Sequence, residues 1–261
     1  MTKEFKEKFV ANIENRNDRI ECKNLMQYVP QSLYQYKRGI AKNEKSEFYE
    51  INQLKNNKIW MSKVSKLNDP YDSAFLVDLK SEANLDNEEL PDNVQQILEE
   101  YQKKLDIKSN DFKESIYISC FSESSQLLLM WSHYANSHKG FCIEYDYSKL
   151  QFMELSACPV LYNNNYNFSN LDKTNIVHKI LTKSEEWEYE KEWRIFKIEK
   201  NEDPLVDGPI PKAIYMGCKI DESPELKNEL LCYCKEFNVK LIQKVMKKNS
   251  FCLEDRELTL A

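Results

Sequence analysis

Glycine is scarce in this sequence, with only four among its 261 residues. Phosphate-binding loops and dinucleotide fingerprints are built on glycine-rich turns, and neither pattern occurs in the chain. The sequence also lacks any apolar run that approaches the ~20 residues needed to cross a membrane. These absences exclude the glycine-rich nucleotide folds, and they argue against a membrane-spanning segment.

Cysteine and histidine do not form a metal-binding pattern. The eight Cys are scattered, and the close pair Cys232 and Cys234 has no second pair at zinc-site spacing. The three His lie far from that pair. No metal site is therefore predicted, and the thiols are expected to be reduced, as they are in a cytoplasmic protein.

The chain also lacks an export signal and an excess of basic charge. Its start, MTKEFKEK, has no apolar core segment, so no signal peptide is predicted. The formal net charge is -6, which disfavours broad, non-specific binding to nucleic acid but leaves a local basic groove open. We expect a soluble protein of the cytoplasm that does not enter a membrane.

Apolar periodicity predicts an α+β fold. Helices are predicted over residues 3–15, 46–56, 94–105, 127–135, 171–187 and 222–237. Strands are predicted over residues 33–36, 58–62, 115–122, 141–146, 159–162, 193–198, 213–218, 240–246 and 251–258. Because strands and helices do not alternate regularly, we expect a mixed, mostly antiparallel sheet with packed helices rather than a doubly wound parallel sheet.

No internal repeat or low-complexity linker divides the chain, so a single domain is expected over residues 1–261. Residues 1–30 are expected to form a helical extension at the N-terminus, and residues 80–110 a helical insertion. Ser46 is the predicted N-cap of the helix over 46–56, and residues 80–93 and 163–170 are predicted to be loops.

The segment EKEWR, at residues 190–194, is the strongest candidate for a functional site. In an extended strand, Glu190, Glu192 and Arg194 share one face and Trp193 lies on the other. Neighbouring carboxylates raise one another's pKa and an arginine lowers it, which suits a general base or a carboxylate that stabilises a developing cation. Taken alone, a solvated strand face with a Glu–Arg pair is the favoured alternative.

Two other segments combine polar and aromatic side chains. The turn NDPYD, at residues 68–72, has the composition of a cation or ribose site, although such turns are more often only turns. The segment MWSHYA, at residues 130–135, places Trp131 and Tyr134 on one helix face, with His133 as a candidate acid or base. The alternative for this segment is a core helix that ends at Gly140.

These pieces come in an order that resembles a large, uncharacterised bacterial family, the domain of unknown function DUF2971. The segments are LYQYK at 33–37, LKN at 54–56, KIWMS at 58–62, LNDPYD at 67–72, CFS at 120–122, MWSHYA at 130–135, GFCI at 140–143 and EKEWR at 190–194. The resemblance covers about residues 31 to 220. Some members are described as abortive-infection (AbiGi-type) proteins, which implies a link to phage defence or toxin–antitoxin systems.

The order of elements is also similar, more distantly, to ADP-ribosyltransferases that modify nucleic acid. That resemblance implies a transferase that cleaves NAD, with Glu192 as the catalytic carboxylate, Glu190 as its fallback and Arg194 tuning its charge. It implies that NAD is held by residues from the first strand, the Asn-Asp turn, the third strand and the aromatic helix, namely Tyr34, Tyr36, Lys37, Asn68, Asp69, Ser122, Trp131, His133 and Tyr134. The usual first-strand His or Arg and the Ser-Thr-Ser strand of that family have no clear counterpart here.

Three functions therefore stand as expectations. The first is an intracellular ADP-ribosyltransferase-like enzyme that uses NAD and modifies a protein or nucleic-acid target, in phage defence or as a toxin. The second is a non-enzymatic defence module that senses a phage component or neutralises a partner protein through its aromatic surface. The third is a metal-dependent nuclease that uses Asp69, Asp72 and the two glutamates.

Overall fold

The computed structural model describes residues 2–15, 29–43, 47–73, 79–82, 85, 88–153, 155, 157–164, 176–200 and 203–259. The helices are α1 (Lys3–Asn15), α2 (Tyr49–Lys55), α3 (Leu79–Glu82), α4 (Asp92–Lys113), α5 (Leu128–Tyr134), α6 (Tyr147–Phe152), α7 (Ile176–Ile180) and α8 (Pro224–Glu236). Short 3-10 turns cover Val64–Lys66, Glu185–Glu190 and Ile220–Glu222.

The strands are short and irregularly spaced between the helices. They are β1 (Ser32–Lys37), β2 (Lys58–Trp60), β3 (Ser62–Lys63), β4 (Ile116–Ser122), β5 (Phe141–Asp146), β6 (Cys158–Pro159), β7 (Leu161–Tyr162), β8 (Thr182–Lys183), β9 (Glu192–Ile198), β10 (Leu205–Asp207), β11 (Ala213–Met216), β12 (Lys240–Met246) and β13 (Leu253–Glu257).

Within the described ranges, nine strands form one sheet. Eight follow the order β13-β12-β11-β5-β1-β4-β9-β6, and β3 pairs with β4. Of these pairs only β11 with β12 is parallel. The predicted α+β class, with a mixed and mostly antiparallel sheet among packed helices, is confirmed.

Alternation along the strands gives the sheet two different faces. Leu33, Phe121, Trp193 and Ile195 point into the main apolar core, which α2 and α8 cover. The register places Tyr34 opposite Ser122, and Ser122 opposite Glu192, so these side chains share the other face. This second face is polar in its centre and carries the candidate site.

The sheet opens beside β4. One edge of β4 pairs with β9 along its whole length, whereas β1 meets its other edge only at Tyr34 opposite Ser122. At the far end of that edge, β3 takes over, with Ser62 opposite Ile118. Because β1 diverges from β4, the chain that follows β3 can enter the sheet's polar face there.

Several local predictions were wrong because the periodicity of a short segment carries no information about which distant strand it pairs with. Of the helix predicted over 171–187, residues 171–175 lie outside the described ranges, and the rest is instead α7, β8 and a 3-10 turn, since β8 pairs with β7. The helix predicted over 94–105 runs over Asp92–Lys113, and part of the predicted loop 80–93 is helical. The strand predicted over 159–162 is two strands that serve different sheets.

Some predictions fall on residues outside the described ranges. These are the N-cap at Ser46, most of the loop at 163–170, and residues 16–28 of the N-terminal extension.

Helix α6 was not predicted from the sequence, although it has a local cause. The Asp146 carboxylate caps it by accepting hydrogen bonds from the backbone N–H groups of Ser148 and Lys149. In the part of the chain that the structure describes, no helix has the length and apolar character of a membrane span.

Candidate functional site

Both faces of β9 are buried over its first four residues, so the solvated strand face considered from the sequence is wrong. Trp193 and Ile195 lie in the main core. Glu192 is only 3% exposed, and Arg194 is fully buried at 0%. Charges buried to this degree must be paired within the protein. Leaving one of them unpaired costs about 3–5 kcal/mol, the loss found when one partner of a buried ion pair is removed.

Glu190 reaches the same face by a different route from the one predicted. It does not lie in the strand but ends the 3-10 turn Glu185–Glu190, and Lys191 follows with a left-handed φ of 47°. The turn is fixed from β4, because the Ser122 hydroxyl donates to the backbone carbonyl of Glu190 at 2.6 Å. The left-handed residue brings the Glu190 carboxylate beside that of Glu192.

Arg194 bridges two carboxylates. Its Nε donates to Glu192 Oε1 at 2.8 Å and its Nη2 to Glu192 Oε2 at 3.0 Å. On its other side, Nη1 and Nη2 donate to the two oxygens of Asp72 at 2.7 and 2.6 Å. A planar guanidinium suits this double fork, in which every hydrogen bond is charge-assisted.

Lys183 is the second buried cation of the site. Its Nζ lies 2.6 Å from Glu190 Oε2, 3.3 Å from Glu192 Oε2 and 3.6 Å from Asp72 Oδ2. The ammonium therefore occupies the point at which the three carboxylates converge. The sequence pattern predicts a helix over 171–187 and so does not predict this role for Lys183, which lies in β8.

Among the described residues, the site contains one more carboxylate than cations, since Asp72, Glu190 and Glu192 pair with Lys183 and Arg194. Burial raises the pKa of Glu190, and the charge of Glu192 adds to this against the opposing charge of Lys183. Burial also acts on Glu192, but the charges of Arg194 and Lys183 outweigh it and lower its pKa to about 2. The environment thus separates the two carboxylates, as in acid–base sites.

Above this network lies a pocket of about 160 Å³. Its walls are aromatic and apolar, and its floor is charged. The pocket is lined by Tyr34, Tyr36, Leu67, Asn68, Asp72, Cys120, Phe121, Met130, Tyr134, Lys183, Glu190 and Glu192. It therefore combines flat apolar surfaces with carboxylates in a partly enclosed space, which is typical of small-molecule sites.

Six of the residues predicted to bind NAD or to act in its cleavage line this pocket, namely Tyr34, Tyr36, Asn68, Tyr134, Glu190 and Glu192. Asn68, Tyr134 and Glu190 are joined by a chain of hydrogen bonds. The amide of Asn68 donates to the Tyr134 hydroxyl at 3.3 Å, and that hydroxyl donates to Glu190 Oε1 at 2.7 Å. The turn, the aromatic helix and the Glu segment are thus brought together as one site.

The other predicted site residues lie outside the pocket lining. Arg194 and Ser122 lie behind it and hold its glutamates, whereas Trp131 is buried and donates through Nε1 to the carbonyl of Ser125. Lys37 lies at the end of β1, opposite Phe141. The remaining two, Asp69 and His133, are at the surface, where Asp69 accepts from the backbone of the turn and His133 packs beside Tyr189.

The position of Lys183 argues against the nuclease hypothesis. Three of its proposed ligands, Asp72, Glu190 and Glu192, do converge, but the ammonium of Lys183 lies at their centre. A cation of the protein's own thus stands where a magnesium ion would be bound. Among the described residues, no group of three or more His, Cys, Asp and Glu side chains is arranged to hold a metal ion.

A family model described as a protein of unknown function (DUF2971) matches residues 130–195. Over this segment the chain is similar to that family. The segment contains α5 from Met130 onward, together with Lys183, Glu190, Glu192 and Arg194, but not Asp72 or β1. No curated protein and no solved structure matches the chain.

The pKa of Glu192 predicts how acid destabilises the fold. Its pKa is lowered on folding, so its contribution to the free energy of unfolding is present above about 4.5 and is lost as pH falls towards 2. We expect roughly 3 kcal/mol from this one group. The difference in unfolding free energy between wild type and Glu192→Gln should therefore shrink as urea titrations are moved from pH 5 to pH 3.

Glu190→Gln is the matched control, because its pKa shift has the opposite sign. For a carboxyl whose pKa is raised on folding, stability is lost as pH rises from about 4.5 through the folded-state value. Relative to wild type, Glu190→Gln should gain stability as the pH rises. Parallel pH profiles for the two variants would contradict the assignment.

Proposed function

We propose that this chain is an ADP-ribosyltransferase-like enzyme that cleaves the bond between nicotinamide and ribose in NAD. The observation that supports this proposal is the pocket with aromatic walls, in which the described residues supply three buried carboxylates and two cations. Breaking that bond builds positive charge on the ribose, and a carboxylate in a dry site stabilises such charge far better than water does. Flat aromatic walls suit stacking of the nicotinamide ring.

In this proposal Glu190 contacts the ribose. Both oxygens of Glu192 accept hydrogen bonds from Arg194. Glu190 instead gives one oxygen to Lys183 and the other to the Tyr134 hydroxyl, a neutral donor that a ribose hydroxyl can replace. Glu192 then serves to fix Lys183, and through it the orientation of Glu190.

The pocket size limits what it can enclose. At about 160 Å³ it is smaller than the ~300–1,000 Å³ of sites for drug-sized ligands. It has room for the nicotinamide end of a dinucleotide, so the adenylate end must lie outside it. Tyr34 and Tyr36, which line the pocket from β1, are the side chains expected beside the ring.

The proposed setting is phage defence or a toxin system within the cytoplasm. All seven cysteines of the described ranges are free thiols, which fits a reducing compartment. The defence role rests on the resemblance to abortive-infection proteins, and the acceptor of the ADP-ribose, protein or nucleic acid, is part of the same proposal.

The direct test is release of nicotinamide from NAD by the purified protein, measured by liquid chromatography. We expect time-dependent release by the native protein and none after heat denaturation. Labelled NAD added to cell extract should then mark the acceptor. If NAD neither binds by calorimetry nor yields nicotinamide with any extract, the proposal is wrong.

A second candidate, a non-enzymatic module that binds a partner protein, is favoured by one feature. Helix α4, all 22 residues of which are described, has no buried residue. Ile97, Tyr101 and Ile107 on it are each more than half exposed, at 53%, 59% and 62%. Exposed apolar side chains grouped in this way mark contact surfaces. A protein that binds a partner but leaves NAD intact would fit this candidate.

A further inference from the structure

The backbone of Glu192, the first residue of β9, is held by the strand segment 160–162. The Val160 N–H donates to the carbonyl of Glu192 at 2.9 Å. In the other direction, the Glu192 N–H donates to the phenol oxygen of Tyr162 at 2.8 Å. Both backbone polar groups of Glu192 are therefore satisfied from one neighbouring segment, and one of the two partners is a side chain.

That segment is in turn covered by helix α1. Lys6 Nζ donates to the carbonyl of Val160 at 3.3 Å and lies 4.9 Å from the centre of the Tyr162 ring. One turn further along the helix, Phe9 packs edge-on against Trp193 with ring centres 5.9 Å apart. The same helix thus contacts both partners of the Glu192 backbone and the residue that follows Glu192.

The Lys6 contacts belong to a buried interface. Burial lowers the pKa of Lys6, while the nearby charges of Glu123, Glu188 and Glu192 act in the opposite direction. Val10 on the next turn is only 1% exposed. By contrast Lys8, on the outer face, has a side chain that is 66% exposed and pairs with Glu4. Over residues 3–11, whose side chains are described, α1 therefore directs one face at the site and the other at solvent.

We propose that Tyr162 and Lys6 are positioning residues for the pocket. Tyr162 fixes the start of β9, and Lys6 fixes Tyr162, so the docking of α1 sets the placement of Glu192 and of the Glu190–Lys183 pair beside it. A partner that displaced α1 would lower activity without touching the pocket. The proposal rests on the proposed function for its effect on turnover, but its structural part can be tested without NAD.

The first arm measures amide hydrogen exchange of the full chain. In Tyr162→Phe and in Lys6→Met we expect the Glu192 amide to exchange about three to ten times faster, because one hydrogen bond is lost or loosened. Amides of β5, such as Ile143, should be unchanged, and Lys8→Met is the control on the same helix. Unchanged exchange at Glu192 in both variants would overturn the proposal.

The second arm measures NAD cleavage. If Tyr162 and Lys6 act by positioning, kcat should fall about three- to ten-fold in each variant while KM for NAD stays within about two-fold. Should the wild type cleave NAD and both variants keep its kcat, the proposal is wrong even if exchange accelerates. Absence of cleavage in the wild type would instead refute the proposed function, and the exchange arm would still decide whether α1 holds Glu192.

Discussion

Arg194→Met is expected to destabilise the protein by about 3–5 kcal/mol at pH 7. Arg194 is fully buried, and it donates to both oxygens of Asp72 and of Glu192. Methionine fills part of the space but leaves these two carboxylates facing a single cation, Lys183. In a chain of this size the loss corresponds to a fall in Tm of roughly 10 °C.

Urea unfolding followed by circular dichroism measures this loss, with Arg256→Met as the control. Arg256 lies on the edge strand β13, and its Nη2 donates to Gln243 Oε1 at an accessible position, so its replacement should cost less than about 1 kcal/mol. Adding Asp72→Asn to Arg194→Met should restore part of the stability, because it removes one of the two stranded charges. A loss below 1 kcal/mol for Arg194→Met would show that the buried network is not paired as described.

The sequence was most informative where a side chain's role depends on its immediate neighbours. Alternation in the segment from Glu192 to Ile198 was enough to place Trp193 in the core and Glu192 and Arg194 together on the opposite face. The α+β class followed from the irregular mixture of helices and strands. The turn at residues 68–72 and helix α5 were singled out because they combine polar and aromatic residues, and Asn68 and Tyr134 from them do line the pocket.

Other parts of the site depend on contacts that no local pattern encodes. Lys183 is set by β8 pairing with β7, a short parallel pair within a stretch whose composition is helical. Asp72 was considered as a turn residue, or as part of a cation or ribose site, because its pairing with Arg194 spans 122 residues along the chain. The burial of Glu192 and Arg194 likewise follows from elements that pack over them. No local pattern shows whether a charged strand face is buried in this way or exposed to solvent.

The left-handed conformation of Lys191 is a third case. Asn and Gly favour that conformation, and Lys does not, so nothing in the sequence predicted a break between Glu190 and Glu192. Without the break, both carboxylates would be equivalent members of one strand face. With it, Glu190 lies on a separate turn next to Tyr134, while Glu192 stays in the strand beside Arg194, and the two carboxylates acquire different partners and opposite pKa shifts.

That difference predicts which glutamate acts in the proposed cleavage of NAD. We expect Glu190→Gln to lower kcat for nicotinamide release by about 100- to 1,000-fold, the usual effect of removing one group that stabilises charge in the transition state. Its free energy of unfolding should stay within about 1 kcal/mol of wild type, since the ionised form is already disfavoured by burial. The exposed Glu186, on the same 3-10 turn, supplies the control variant Glu186→Gln.

Glu192→Gln should behave differently, because it breaks a buried pair with Arg194. We expect it to lose activity together with about 3 kcal/mol of stability, as Arg194 and Lys183 are left with less compensating charge. Measuring nicotinamide release and urea unfolding on all three variants separates the two roles. If Glu192→Gln abolished release at unchanged stability while Glu190→Gln kept wild-type kcat, the catalytic carboxylate would be Glu192, and Glu190 would be the group that holds Lys183 in place.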